Sequence, residues 1–148
     1  MSEPRIVVGV DGSEPSGAAL RWAVSEAELR GASVEAVLAW RYPSLTFVPG
    51  IVAPPVFARE DLEAGARAEL DHAVDQALAG VGTPVGVARV VVEGAAAEVL
   101  LARSHGADLL VVGHRGRGGF AGLLLGSVAQ QCAAHGVCPV VVVRHPAG

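Results

Sequence analysis

Asp108-Leu109-Leu110-Val111-Val112-Gly113-His114-Arg115-Gly116, followed after nine further residues by Gly126-Ser127-Val128, is the stretch that decides how this chain is read. The run 109–112 has no polar alternation, which suits a strand buried on both faces of a parallel sheet. Glycine at its end lets the backbone approach a ligand, because no Cβ intervenes. Val128 to His135 has the length of a short helix. A helix that begins there aims unpaired N–H groups, and the positive end of its dipole, at whatever lies in front. Together these features predict an anion site, and a phosphate chain fits it best.

Working outward, the runs Val90-Val91-Val92 and Val140 to Val143 repeat the buried-strand pattern. Arg5 to Val10 reads as a first strand that ends at Asp11-Gly12-Ser13. Ser13 is placed to cap a helix with Pro15 in its first turn. Ala19, Leu20, Ala23, Val24 and Ala27 recur at helical spacing, and Gly31 marks the stop. Val34 to Trp40 is a second strand. The segment 41–58, with Pro43, Pro49, Gly50, Pro54 and Pro55, reads as a long connection. Loops of that length are usually functional or mobile, and this one is expected to close over a ligand.

Glu60 to Ala79 reads as a second helix, with Leu62, Ala66, Leu70, Ala73, Ala77 and Leu78 along one side. Glu60, Asp61, Glu63, Glu69, Asp71 and Asp75 read as its solvated acidic surface. Val85 to Val92 is a third strand and Ala95 to Ser104 a third helix. Leu109 to Val112, Val128 to His135 and Val140 to Val143 supply the fourth strand, fourth helix and fifth strand. The alternation predicts one α/β domain over 1–148, with an open, mainly parallel five-stranded sheet. With the strands in the order 3-2-1-4-5, the winding reverses between the first and the fourth. Ligands bind beyond the carboxyl ends of strands at such a reversal. Asp11 and Gly113 stand at those two ends, so a carboxylate able to accept ribose hydroxyls faces a loop able to hold phosphates. Asp11 could also brace its own turn, but its position favours ligand contact.

Composition narrows the partners. The chain has 148 residues, 51% hydrophobic but only 4% aromatic, so its core is built from Val, Leu and Ala. No apolar run nears the ~20 residues that span a bilayer, and no signal-peptide pattern opens the chain, so a cytosolic location is expected. The net charge is −4, there is no lysine, and all eleven basic residues are arginine. No Asp or Glu follows Asp108, whereas Arg115, Arg117 and Arg144 do. A locally cationic segment in an acidic protein suits a small anion better than nucleic acid. Cys132 and Cys138 lack metal-ligand spacing and read as reduced core residues. His72, His105, His135 and His145 are scattered, while His114 lies within the loop and could hydrogen-bond phosphate. Trp22 and Trp40 read as packing rather than adenine stacking. Residues 116–121 match a Gly-x-Gly-x-x-Ala fingerprint only weakly, with no acid downstream for a ribose, and a Walker A loop needs a lysine.

Gly113, Gly116, Gly126 and Ser127 reproduce without a gap the signature Gly-x2-Gly-x9-Gly-(Ser/Thr). With the opening Ile6-Val7-Val8-Gly9-Val10-Asp11-Gly12-Ser13 and the closing Pro139-Val140-Val141-Val142-Val143, the chain resembles the ATP-binding branch of the universal stress protein family over essentially its whole length. The resemblance implies a Rossmann-like fold of the adenine nucleotide α-hydrolase-like kind, with four helices flanking the sheet. It implies ATP as ligand, with Mg2+ accompanying the phosphates rather than held in a protein cage. By position, Gly9, Val10 and Asp11 would meet the nucleoside, and Ala39 would hold adenine through its backbone. Gly113 and Gly116 would line the phosphate loop, and Gly126, Ser127 and Val128 would meet phosphates or ribose. Arg115 and Arg117 lie outside the strict signature, and their charge suggests phosphate contact. Gly94 sits where the family often has Gly-x-Pro, but here Ala96 replaces the proline.

The implied role is a nucleotide-dependent stress-response or signalling regulator. The alternatives are a slow ATP hydrolase, or a regulator whose ligand is AMP or cyclic AMP. Efficient catalysis is not expected, because the phosphate loop offers no carboxylate to act as a base. A homodimer through residues 139–144 is expected from an apolar strand at the sheet edge.

Overall fold

The run 109–112 forms a buried inner strand, as its pattern suggests, whereas the runs Val90-Val91-Val92 and Val140 to Val143, read as buried, lie half-buried on the two edge strands of the sheet. The computed structural model describes residues 3–43, 47–48, 51–52, 57–82, 85–119 and 122–145. In chain order the elements are β1 (Arg5–Gly9), α1 (Glu14–Arg30), β2 (Ser33–Trp40), β3 (Phe47–Val48), β4 (Ile51–Val52), α2 (Arg59–Ala77), β5 (Val87–Glu93), α3 (Ala96–Arg103), β6 (Leu109–Gly113), α4 (Ser127–His135) and β7 (Val140–Val143). The main sheet runs β5-β2-β1-β6-β7 with every pair parallel. Setting aside the two-residue strands β3 and β4, this is the expected order 3-2-1-4-5.

Successive strand residues point to opposite faces, and the core divides accordingly. Ile6, Val8, Leu109 and Val111 pack with α1 and α2 on one face. Val7, Leu110 and Val112 pack with α3 and α4 on the other. Trp22 and Trp40 sit half-buried against the first of these layers. The two cysteines are free, Cys132 fully buried and Cys138 half-buried. Burial pushes the Cys132 thiol up to about 11, which keeps it in the unreactive protonated form.

Helix α1 has both expected signals. Ser13 Oγ accepts the Ser16 N–H at 3.3 Å. Gly31 takes a left-handed φ of 65°, after which the Ala32 N–H reaches the Ala27 carbonyl at 2.9 Å. Other boundaries shift by a residue or two. Strand β5 starts at Val87, the first residue paired with β2, rather than at Val85.

Two expectations need correction. First, the 41–58 segment contains an antiparallel pairing of β3 with β4. Its flanks are pinned together: the Tyr42 hydroxyl donates to the Phe57 carbonyl at 2.8 Å. The Arg59 guanidinium lies 4.8 Å above the Tyr42 ring and also pairs with Glu93. Its expected closure over a ligand lies largely outside the described residues. Second, the acidic side of α2 is not merely solvated. Arg89 of β5 bridges Asp71 at 3.0 Å and Asp75 at 2.7 Å, and Glu69 is engaged as described below.

A charged cluster closes the amino-terminal end of the sheet. Glu35, only 5% exposed, accepts from Arg5 at 2.6 Å and pairs with Arg103. Arg5 also donates to the carbonyls of Arg103 and His105 at 3.1 and 3.0 Å. These bonds tie β1, β2 and the end of α3 together at the rim opposite Asp11.

Candidate functional site

Because β1 and β6 are neighbours, the turn after β1 and the loop after β6 meet above the carboxyl edge of the sheet. They enclose a cleft of about 250 Å³. The cleft gathers Gly9, Val10 and Asp11 from the end of β1 and Ala39 from β2. It also takes Gly113, Arg115, Gly116 and Arg117 from the loop, and Gly126, Ser127 and Val128 from the start of α4. Residues the sequence reading did not nominate complete it. Val37, Ala96, Leu100 and Val112 supply apolar wall, and Gly118, Gly119 and Leu123 extend the loop side. Among the described residues, Asp11, Arg115 and Arg117 are the charged ones that line it.

Asp11 joins the two loops. Its Oδ1 accepts the Ser13 N–H at 2.9 Å and the Ser13 hydroxyl. Its Oδ2 accepts the Arg117 N–H at 2.9 Å, from 106 residues away. Turn bracing is therefore part of its role. Burial works to raise the Asp11 carboxyl, but hydrogen bonds from Ser13, from the Arg117 backbone and from Ser16 outweigh it and hold the group below its ordinary value. A carboxylate depressed in the fold stabilises it fully above the unfolded value of 3.8. That stabilisation disappears as pH falls through the lower folded value. Chemical-shift titration of the Asp11 carboxyl carbon should therefore show a midpoint below 3.8. An Asp11→Asn variant should lose part of the acid limb of its stability profile.

The signature glycines are demanded by the protein's own packing. A Cβ on Gly113 would lie 2.7 Å from the carbonyl carbon of Pro15, at the start of α1. One on Gly116 would strike Asp11 Oδ2, and one on Gly126 would lie 3.3 Å from the Arg115 Cα. They let β6, its loop and α4 close upon one another, so their part in a ligand site is to shape it rather than simply to leave access.

Helix α4 opens with Gly126 as cap and Ser127 as its first residue. No side chain caps this end. Its leading N–H groups are thus directed at the cleft side of the helix, the geometry that suits an anion. His114 is a clip: its carbonyl accepts the Gly126 N–H and its N–H donates to Val143, each at 2.8 Å. Its Nδ1 also accepts the His145 N–H at 3.3 Å. Arg115 donates to the Leu123 carbonyl at 3.3 Å, across the loop. Arg117 extends to α2, where its Nη1 lies 2.8 Å from Glu69 Oε1. Among the described residues no group of three or more His, Cys, Asp or Glu could hold a metal ion. No helix among them is long and apolar enough to cross a membrane.

A sequence model of the Universal stress protein family matches residues 4–144. The chain belongs to that family. Universal stress protein Rv2623 of Mycobacterium tuberculosis is 37% identical over 142 residues, covering 94% of this chain and 44% of the relative. The chain thus spans less than half the length of that curated relative. Among solved structures, a universal stress protein crystallised in complex with cAMP is 29% identical, with a TM-score of 0.68. That alignment covers 97% of this chain and 98% of the other. A universal stress protein family member from Arabidopsis thaliana with AMP bound has a TM-score of 0.59. It covers 97% of this chain and 93% of its own, and at 20% identity supports the fold alone. The five-stranded α/β sheet is the architecture of the family's structural neighbours.

Proposed function

We propose that this universal stress protein binds ATP in the cleft above β1 and β6 and works as a nucleotide-dependent regulator. The observation that carries this reading is the meeting of three features in one cleft. They are an uncapped helix start, a glycine-shaped loop bearing Arg115 and Arg117, and an apolar wall of Val37, Ala96 and Leu100. Main-chain amides and arginines hold phosphates, the wall takes a flat base, and the remaining lone pair of Asp11 Oδ2 accepts a ribose hydroxyl. Ala39 would contact the base, as would Gly9 and Val10 the nucleoside. Gly113, Gly116, Gly126, Ser127 and Val128 would surround the phosphates. Mg2+ would travel with the phosphates, keeping its own waters.

A regulator fits better than a hydrolase. The one carboxylate lining the cleft, Asp11, already accepts three hydrogen bonds, which makes it a poor base for activating water. AMP or cyclic AMP is the second reading, favoured by the cAMP complex of the 29% identical relative.

The edge strand β7 leaves Val140 to Val143 half-exposed. We assign residues 139–144 as a homodimer contact, since an apolar edge with unpaired backbone groups invites a second copy. Native mass spectrometry of freshly purified protein tests both assignments at once. The expected species is a dimer carrying adenine nucleotide, identified as ATP, AMP or cyclic AMP after denaturation. An empty protein that also gives no calorimetric heat with any of these would refute the ligand assignment. A solely monomeric mass at micromolar concentration would refute the dimer.

A further inference from the structure

A second cavity of about 350 Å³ lies between α1 and α2, lined by Glu14, Arg21, Glu69, His72 and Gln76 among others. Only Val10, Ser16 and Arg117 line both cavities, so Arg117 is the one charged residue they share. Its main chain is fixed, with the N–H on Asp11 Oδ2 at 2.9 Å. Its side chain is 64% exposed and ends on Glu69 at 2.8 Å. The guanidinium lies over Gly12, where an added Cβ would come within 2.7 Å of Nη2.

We propose that Arg117 discriminates nucleotides by their phosphate number, with Glu69 as the internal carboxylate that a polyphosphate displaces. This rests on the cleft being an adenine-nucleotide site. One phosphate can be met by the amides at the start of α4. Each further phosphate adds negative charge, and among the described residues the cations lining the cleft are Arg115 and Arg117. An exposed ion pair such as Arg117–Glu69 contributes little. A phosphate offers the guanidinium a stronger, two-pronged acceptor. The guanidinium therefore passes from Glu69 to the phosphates of ATP. The passage removes the ion pair between the phosphate loop and α2, so the state of the ligand is read out on the α2 surface. AMP, lacking the distal phosphates, leaves the pair in place.

Calorimetry with ATP and AMP on wild type, Glu69→Gln, Arg117→Gln and the double variant tests the assignment. Glu69→Gln removes the competitor and should tighten ATP about threefold while leaving AMP unchanged. Arg117→Gln should weaken ATP about tenfold and AMP less than twofold. The double variant should match Arg117→Gln, because Glu69 acts only through Arg117. Equal shifts for ATP and AMP would overturn the proposal, as would Glu69→Gln tightening ATP in the Arg117→Gln background. If wild type binds neither nucleotide, the cleft assignment falls and takes this proposal with it. If wild type binds both and the variants do not discriminate, only the Arg117 proposal falls.

Discussion

Gly113→Val should cost about 3 kcal/mol of stability and abolish nucleotide binding in whatever fraction stays folded. Overpacking a well-filled core ordinarily costs about 1–3 kcal/mol, through off-rotamer side chains and small backbone shifts. Here the upper end is expected because the obstruction is main chain. The added Cβ would meet the Pro15 carbonyl carbon at 2.7 Å and its oxygen at 2.8 Å. No rotamer change relieves that, so the start of α1 must move away from the end of β6. The same movement separates Asp11 and Ser13 from the loop that carries Arg117, opening the cleft at its joint. Gly65 in α2 is the matched control, since its Cβ would meet nothing within 4 Å. Gly65→Ala should stabilise by about 0.5–1 kcal/mol through helix propensity. Urea denaturation with parallel ATP titration measures both variants. A Gly113→Val protein with wild-type midpoint and affinity would show that the α1–β6 contact does not matter.

The second large effect is expected at the opposite rim. Replacing both Arg5 and Arg103 with methionine strands Glu35 as a buried, unpaired carboxylate. Breaking a buried ion pair in this way costs about 3–5 kcal/mol, because the remaining charge keeps its desolvation penalty without compensation. Both arginines are partly exposed, at 31% and 42% of their side chains, so Glu35→Ala alone should cost less than the double arginine change. Replacing all three with Met, Leu and Met should restore most of the loss, since an apolar trio of similar volume needs no pairing. Unfolding midpoints for the four proteins decide the matter. A double arginine variant within about 1 kcal/mol of wild type would mean that Glu35 finds water or another donor.

The fold was legible in the sequence wherever periodicity carried it. The apolar run 109–112 became a central strand while the valine runs 90–92 and 140–143 became half-buried edge strands, Ser13 and Gly31 bounded α1, and the spacing from Gly113 to Gly126 gave the loop and helix above β6. The site was legible where it depends on main chain at strand ends, because topology alone brings Asp11 and Gly113 together. What escaped were contacts between side chains far apart in the chain. Glu69 and Arg117, like Glu35 and Arg103, are joined by packing that no spacing rule encodes. Val37 and Leu100 were indistinguishable from core, since a cleft wall and a hydrophobic interior use the same residues. The role of the glycines was only half visible. Composition marks where a side chain is forbidden, but only the fold shows what it would strike.

The bond from the Arg117 N–H to Asp11 has a bearing on synthesis. A nascent chain released up to α3 would already contain β1, β2 and β5, yet it would offer no completed ligand pocket. Under the proposed function, occupancy can begin only after Arg117 and the start of α4 have left the ribosome, so a bound nucleotide would certify that translation has passed that point.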